Sequence, residues 1–180
     1  GKDVIGIAQT GTGKTFAFGL PMVQRLAIHK GMGLVLVPTR ELALQVEEAL
    51  QKVGESIGLR TAVTVGGASM GKQIQMIKAK PHVIVATPGR LNDHLQQKTV
   101  DLHEVNILVL DEADHMLDMG FEPQIKKILA YVPKVRQTLL FSATMPPKIR
   151  AMTAAYMQTP TVVEVAPAGT SAEKVQQELY

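Results

Sequence analysis

An α/β fold, with a mainly parallel central sheet and helices on both faces, is predicted by two features of the 180-residue sequence. Short, solidly apolar runs alternate with helix-length segments along the whole chain. A glycine-rich loop joins the first such run to the first helical pattern. Strands covered on both faces read as continuous apolar stretches, and strand–helix alternation is the signature of a parallel sheet. Ligands of such sheets bind beyond the carboxyl ends of the strands.

The first predicted strand, Val4–Ala8, runs into Ala8-Gln9-Thr10-Gly11-Thr12-Gly13-Lys14-Thr15. Gly11 and Gly13 let the backbone turn its N–H groups toward an anion, and the next helix adds its positive N-terminal end. Lys14 is placed to reach the β- and γ-phosphates of a nucleoside triphosphate, and the Thr15 hydroxyl to ligate Mg²⁺. The usual first glycine of such a loop is Ala8 here, but the nest-forming glycines remain.

The second strand, Leu34–Val37, leads to a helix over Glu41–Val53, where Leu42, Ala43, Val46, Ala49, Leu50 and Val53 share one face. A third strand, Thr61–Val65, ends at Gly66-Gly67, which alone reads as a turn. After the fourth, Val83–Ala86, Thr87 is a good N-cap with Pro88 at the first helical position. The fifth, Ile107–Leu110, carries Asp111-Glu112-Ala113-Asp114 at its end. Carboxylates this crowded repel one another unless a cation neutralises them. Mg²⁺ held through water by Asp111 does so, with Glu112 placed to orient or deprotonate an attacking water. Ser142 and Thr144 follow the sixth strand, Thr138–Phe141, and Val162–Val165 is the seventh.

Composition bounds the function. Apolar residues make up 46% and charged residues 19%, ordinary for a globular domain. No apolar run has the length of a membrane span, and Lys2-Asp3 at the start is unlike a secretory signal. With no cysteine, disulfides and thiolate zinc sites are excluded; this fits a reducing compartment, and a cytoplasmic location is expected. A formal charge of +3 with a pI near 9.2 permits nucleic-acid binding without demanding it. Aromatics are few: Phe16, Phe18, Phe121, Phe141, Tyr131, Tyr156 and Tyr180. A nucleic acid is therefore expected to be held by its backbone rather than by base stacking.

With these residues in place the sequence resembles the DEAD-box ATP-dependent RNA helicases. Six motifs fall in the family's order: AQTGTGKT at 8–15, PTRELA at 38–43, Gly66-Gly67, TPGR at 87–90, the Asp111–Asp114 tetrapeptide and SAT at 142–144. The resemblance implies a RecA-like P-loop domain that binds ATP and Mg²⁺, with Lys14, Asp111 and Glu112 catalytic. It also implies that Thr39, Arg40, Gly66, Gly67, Thr87, Gly89 and Arg90 touch the RNA sugar-phosphate backbone. Asp114, Ser142 and Thr144 are implied to couple nucleotide chemistry to duplex opening. The residues alone leave plainer readings open: Arg40 as a solvated helix-start arginine, and Ser142 and Thr144 as capping hydroxyls. An ATP-gated RNA clamp with little unwinding is the alternative function. A DNA translocase is a third, against which Thr39-Arg40-Glu41-Leu42-Ala43 and Asp114 argue.

Residues 1–166 read as this first RecA-like domain, and 167–180 as a linker with the start of a second, both ends reading as cuts in a longer chain. The resemblance implies an upstream glutamine motif that reads adenine, and a second RecA-like domain supplying arginines to the γ-phosphate. The 180-residue chain alone is accordingly expected to bind nucleotide weakly and hydrolyse it very slowly. The five histidines show no metal-ligand spacing and read as structural or surface; Met116, Leu117 and Met119 read as packing, and Lys126-Lys127 as a solvated helix face.

Overall fold

The computed structural model describes residues 1–165 apart from Thr10 and Thr12. Those two loop residues, and the expected linker and second-domain start, lie outside the described residues.

Among the described residues, seven strands form one sheet in the order β3-β4-β2-β5-β6-β1-β7. They are β1 (Val4–Ile7), β2 (Met32–Leu36), β3 (Thr61–Thr64), β4 (Val83–Ala86), β5 (Val105–Leu110), β6 (Gln137–Ser142) and β7 (Thr161–Glu164). Every pairing is parallel. Helices α1 (Lys14–Ile28), α2 (Arg40–Gly54), α3 (Met70–Lys78), α4 (Pro88–Gln96), α5 (Ala113–Asp118), α6 (Glu122–Tyr131) and α7 (Pro147–Tyr156) fill the connections. All seven predicted strands are present, with β2 and β5 each starting two residues earlier than predicted.

Alternation along the central strands sends side chains into two cores, since successive residues of a strand face opposite ways. Leu34, Leu36, Ile84, Leu108 and Leu110 pack with Leu91 of α4, Met116 of α5, Ile128 of α6 and Ile149 of α7. Val35, Val37, Val85, Ile107 and Val109 pack on the other face with Phe18 and Met22 of α1 and Val46 and Leu50 of α2. Burial of one such side chain contributes roughly 1.5–3 kcal/mol.

The two ends of the sheet differ. Of the two edge strands, β3 is buried at three of its four positions, whereas all four residues of β7 are exposed. The apolar reading of Val162–Val165 as a covered strand therefore fails at this edge; β3, at the opposite edge, is covered because α2 and α3 pack against it. Two local expectations are also corrected. Thr87 stands at the N-cap of α4 in extended conformation, but its side chain makes no capping bond. Met119 is 47% exposed just past the end of α5, while Met116 and Leu117 are buried as expected.

Asp3 anchors the start of β1. Its carboxylate accepts from the N–H groups of Thr138 and Gln158, both at 2.7 Å, and its carbonyl accepts from Thr161 N–H at 2.9 Å. A charged acceptor shared by two backbone donors offsets its own burial, and it locks β1 between β6 and the approach to β7.

Candidate functional site

The sheet's hydrogen bonds run one residue past the strands at their carboxyl end. Ala8 N–H donates to Ser142, Asp111 to Leu36, Val37 to Ala86 and Thr87 to Thr64, at 3.0–3.1 Å. Each motif singled out in the sequence therefore begins where a strand stops, and all lie at one end of the sheet. Two groups form there.

The first group surrounds the phosphate loop. Gly11 and Gly13 are left-handed, at φ +84° and +75°, and a Cβ on either would meet nothing within 4 Å. Their identity is set by backbone conformation, and the space beside them is open. Gly13 caps α1, the helix that begins at Lys14. The Lys14 ammonium lies 3.6 Å from Asp111 Oδ1 and 3.4 Å from the Ala8 carbonyl. Asp111 is buried at the tip of β5, and its Oδ1 also accepts from Glu112 N–H at 3.0 Å. Burial holds the Asp111 carboxyl above its ordinary range, against the pull of Lys14.

Glu112 takes a left-handed backbone at φ 52°, which costs a non-glycine residue about 1 kcal/mol. Its Oε2 lies 3.2 Å from Nδ1 of His115, one helical turn on. Asp114 joins this strand end to the next. Its carboxylate Oδ2 accepts from both N–H and Oγ1 of Thr144, at 3.1 and 3.0 Å, and its N–H donates to Ser142 Oγ at 3.3 Å. Burial opposes the Asp114 charge, but bonds from Thr144, His115 and Ser142 outweigh it and hold the carboxyl below its ordinary range. A cavity of about 180 Å³ opens among Lys14, Glu112, Asp114, His115, Asp118 and Ala143. A larger apolar cleft of about 330 Å³ lies on the β1–β7 side of Lys14 and carries none of the acidic groups.

These residues suit a magnesium-bound triphosphate. The loop has open glycine space for phosphates, Thr15 follows Lys14 at the helix start, and the buried Asp111 carboxylate faces an ammonium rather than water. Among the described residues no group of three or more His, Asp or Glu could cage a metal by itself.

The second group lies beyond β2, β3 and β4. Thr39 caps α2, its Oγ1 accepting from Leu42 N–H at 3.2 Å. Arg40 Nη1 lies 3.4 Å from the Gly67 carbonyl, so it is not simply solvated. Gly67 is left-handed at φ +72°. Arg90 Nη1 donates to the Ala68 carbonyl at 2.8 Å, and its Nε faces Asp93 at 3.5 Å. Thr87 is buried at the start of α4, and Gly89 lies in its first turn. Gly66 is exposed, with open space beside it. The structure thus brings Arg40, Gly66, Gly67 and Arg90 to one turn, while Thr39 and Thr87 serve helix starts.

Sequence reasoning missed three contributors. His115 sits beside Glu112, a contact readable from their i, i+3 spacing on a short helix. Gln73 and His94, both buried, bond to each other at 2.9 Å. Nothing in their spacing marked them, since they lie 21 residues apart on different helices.

A parallel sheet with a phosphate loop after one strand and an acidic tip on another defines a RecA-like nucleotide-binding domain. The chain belongs to the DEAD/DEAH box helicase family, which it matches over residues 1–152. It is 49% identical over 179 residues to the DEAD-box ATP-dependent RNA helicase CshA of Bacillus cereus, covering 98% of this chain and 34% of that protein. The corresponding protein of Geobacillus kaustophilus is 49% identical over 178 residues, covering 98% and 38%. The chain thus spans about a third of the length of these relatives. Its fold matches a DEAD box protein from Methanococcus jannaschii with a TM-score of 0.86 at 36% identity, over 91% of this chain and 45% of that one. The yeast splicing factor Prp28 matches with 0.88 at 35% identity, over 94% and 42%. Among the described residues no helix is long and apolar enough to cross a membrane.

Proposed function

We propose that the protein containing this chain is an ATP-dependent RNA helicase, which hydrolyses ATP to open short RNA duplexes or remodel RNA–protein complexes. This chain is its first RecA-like domain. The carrying observation is the approach of Lys14 to Asp111, 3.6 Å apart across two strand ends, beside Asp114 bonded to Thr144.

In this reading the N–H groups around Gly11 and Gly13 cradle the phosphates, and Lys14 leaves the Ala8 carbonyl to meet the β- and γ-phosphates. Magnesium, when bound, supplies positive charge at those oxygens; Thr15 and, through water, Asp111 are the residues that would hold it. Glu112 takes a proton from the water attacking the γ-phosphorus. His115 on Oε2 leaves Oε1 for that water. Asp114 passes the state of the site to Ser142 and Thr144, so that β5 and β6 respond together.

RNA is held through its sugar-phosphate backbone by Arg40, the Gly66-Gly67 turn and the start of α4 at Thr87–Arg90, with little preference for base sequence. A second RecA-like domain of the same protein closes over both ligands and supplies arginine to the γ-phosphate. Alone, this domain binds nucleotide weakly and turns it over very slowly. The absence of cysteine supports a cytoplasmic setting.

The test is Glu112→Gln in the full-length protein. ATP affinity should stay within about twofold, while RNA-stimulated hydrolysis falls by at least about 100-fold, the usual range for losing a general base. Wild-type turnover would remove Glu112 from this role.

A further inference from the structure

Two buried polar side chains belong to neither ligand group directly. Gln73 on α3 is 2% exposed and His94 on α4 is wholly buried. Left unpartnered, such groups are costly to bury; here each side-chain polar atom of both residues has a hydrogen-bond partner. Gln73 Nε2 donates to the Val65 carbonyl at 2.8 Å, just before the Gly66-Gly67 turn. Gln73 Oε1 lies 2.9 Å from His94 Nε2, and His94 Nδ1 lies 2.8 Å from Thr99 Oγ1.

Donor and acceptor rules fix the direction of this chain. With its amide nitrogen on Val65, Gln73 presents only an acceptor oxygen, so His94 carries a proton on Nε2. Burial, and then Arg90, hold the His94 pKa below its ordinary value, which favours the neutral ring. A neutral ring protonated at Nε2 has Nδ1 free to accept. The Thr99 hydroxyl can reach Nδ1 at 2.8 Å or the His94 carbonyl at 3.2 Å, and the shorter contact completes the series. The donation runs Thr99 to His94 to Gln73 to Val65.

That series ends at the turn which Arg90 and Arg40 grip from outside through the Ala68 and Gly67 carbonyls. Arg90 and His94 are four residues apart, on one face of α4. Helix α4 therefore reaches the turn twice, once at the surface and once through the core. Apolar side chains of equal size would fill the same space but would leave the turn free to slide against the helix start.

We propose that Gln73 and His94 are positioning residues for RNA, holding the 66–68 turn in register with the first turn of α4 so that the backbone-binding groups are preset. This inference rests on the RNA reading above.

The experiment uses the full-length protein and a fluorescent single-stranded oligouridine, titrated with a non-hydrolysable ATP analogue present. Gln73→Met keeps the volume and removes both bonds; RNA affinity should fall about tenfold, the equivalent of one lost buried hydrogen bond. Nucleotide affinity should not change. Thr99→Val removes the far end of the series; it should lower the melting temperature but leave RNA affinity within about twofold, so a general loss of stability would move both variants alike. Should Gln73→Met not fold, Gln73→Glu is measured instead: it keeps the acceptor for His94, loses the donor to Val65 and should weaken RNA in the same way. Wild-type RNA affinity in the Gln73 variant, with Arg90→Ala impaired, would overturn the positioning role and leave the RNA reading standing. Failure of the wild-type protein to bind the oligouridine would overturn both.

Discussion

The two groups at the carboxyl end of the sheet are held together by different physics. Around Lys14 the contacts are ionic and the backbone is bent: an ammonium beside a buried carboxylate, two left-handed glycines and a left-handed Glu112. Around Gly67 the contacts are hydrogen bonds to backbone carbonyls, from Arg40, Arg90 and Gln73. The first arrangement keeps charges in places that burial disfavours, and a charged ligand can relieve that cost. The second spends its donors on shaping a turn. The comparison separates a site poised for chemistry from a surface shaped before its ligand arrives.

Lys14→Ala should separate them most sharply. Removing the ammonium strips the loop of its one side-chain cation for the phosphates and leaves Asp111 buried without its partner. Nucleotide affinity, read by titration with a fluorescent nucleotide, should fall at least about 100-fold. RNA affinity without nucleotide should be unchanged. An equal loss of both would show that the groups are not independent.

Arg90→Ala is the converse case. The variant loses the bond to Ala68 and a charge near the phosphates, so RNA affinity should fall about tenfold and depend less steeply on salt. Nucleotide affinity should hold. A variant in which only nucleotide binding suffers would reverse the assignment.

The smallest expected effect concerns pH. His94 titrates below its ordinary value because of burial first and Arg90 second. The unfolded chain therefore binds the proton more readily, and stability is full above the ordinary histidine value and lost as pH falls toward the folded one. Between about pH 7 and about pH 5 the melting temperature should drop, and it should drop less in His94→Gln. His82 shifts the same way, through burial and then Arg60, so some of the drop should remain. An identical drop in the variant would mean that His94 does not titrate as its burial implies.

How far the sequence disclosed this arrangement depends on range. All seven strands were legible because central parallel strands must be apolar throughout, and the phosphate loop because its glycines and lysine are adjacent in the chain. The acidic cluster at β5 was legible for the same reason. What joins separate segments was not. The bond between Asp114 and Thr144, 30 residues apart, was implied only by the family resemblance; that between Gln73 and His94 spans 21 and the Asp3 clamp on Thr138 spans 135, and neither was foreseen. Each needs the strand order, which local periodicity does not contain. The exposure of β7 is also a long-range property: Thr161–Glu164 looks like any inner strand but lies exposed at one edge of the sheet, while β3, at the other edge, is covered by α2 and α3.

The independence of the two groups is tested most directly by following backbone amide resonances of the 180-residue chain while magnesium and ADP are added. Shifts should concentrate at residues 8–15 and 111–114, with residues 66–68 and 87–90 little moved. Shifts centred on the 66–90 segment, with the loop before Lys14 silent, would contradict that independence.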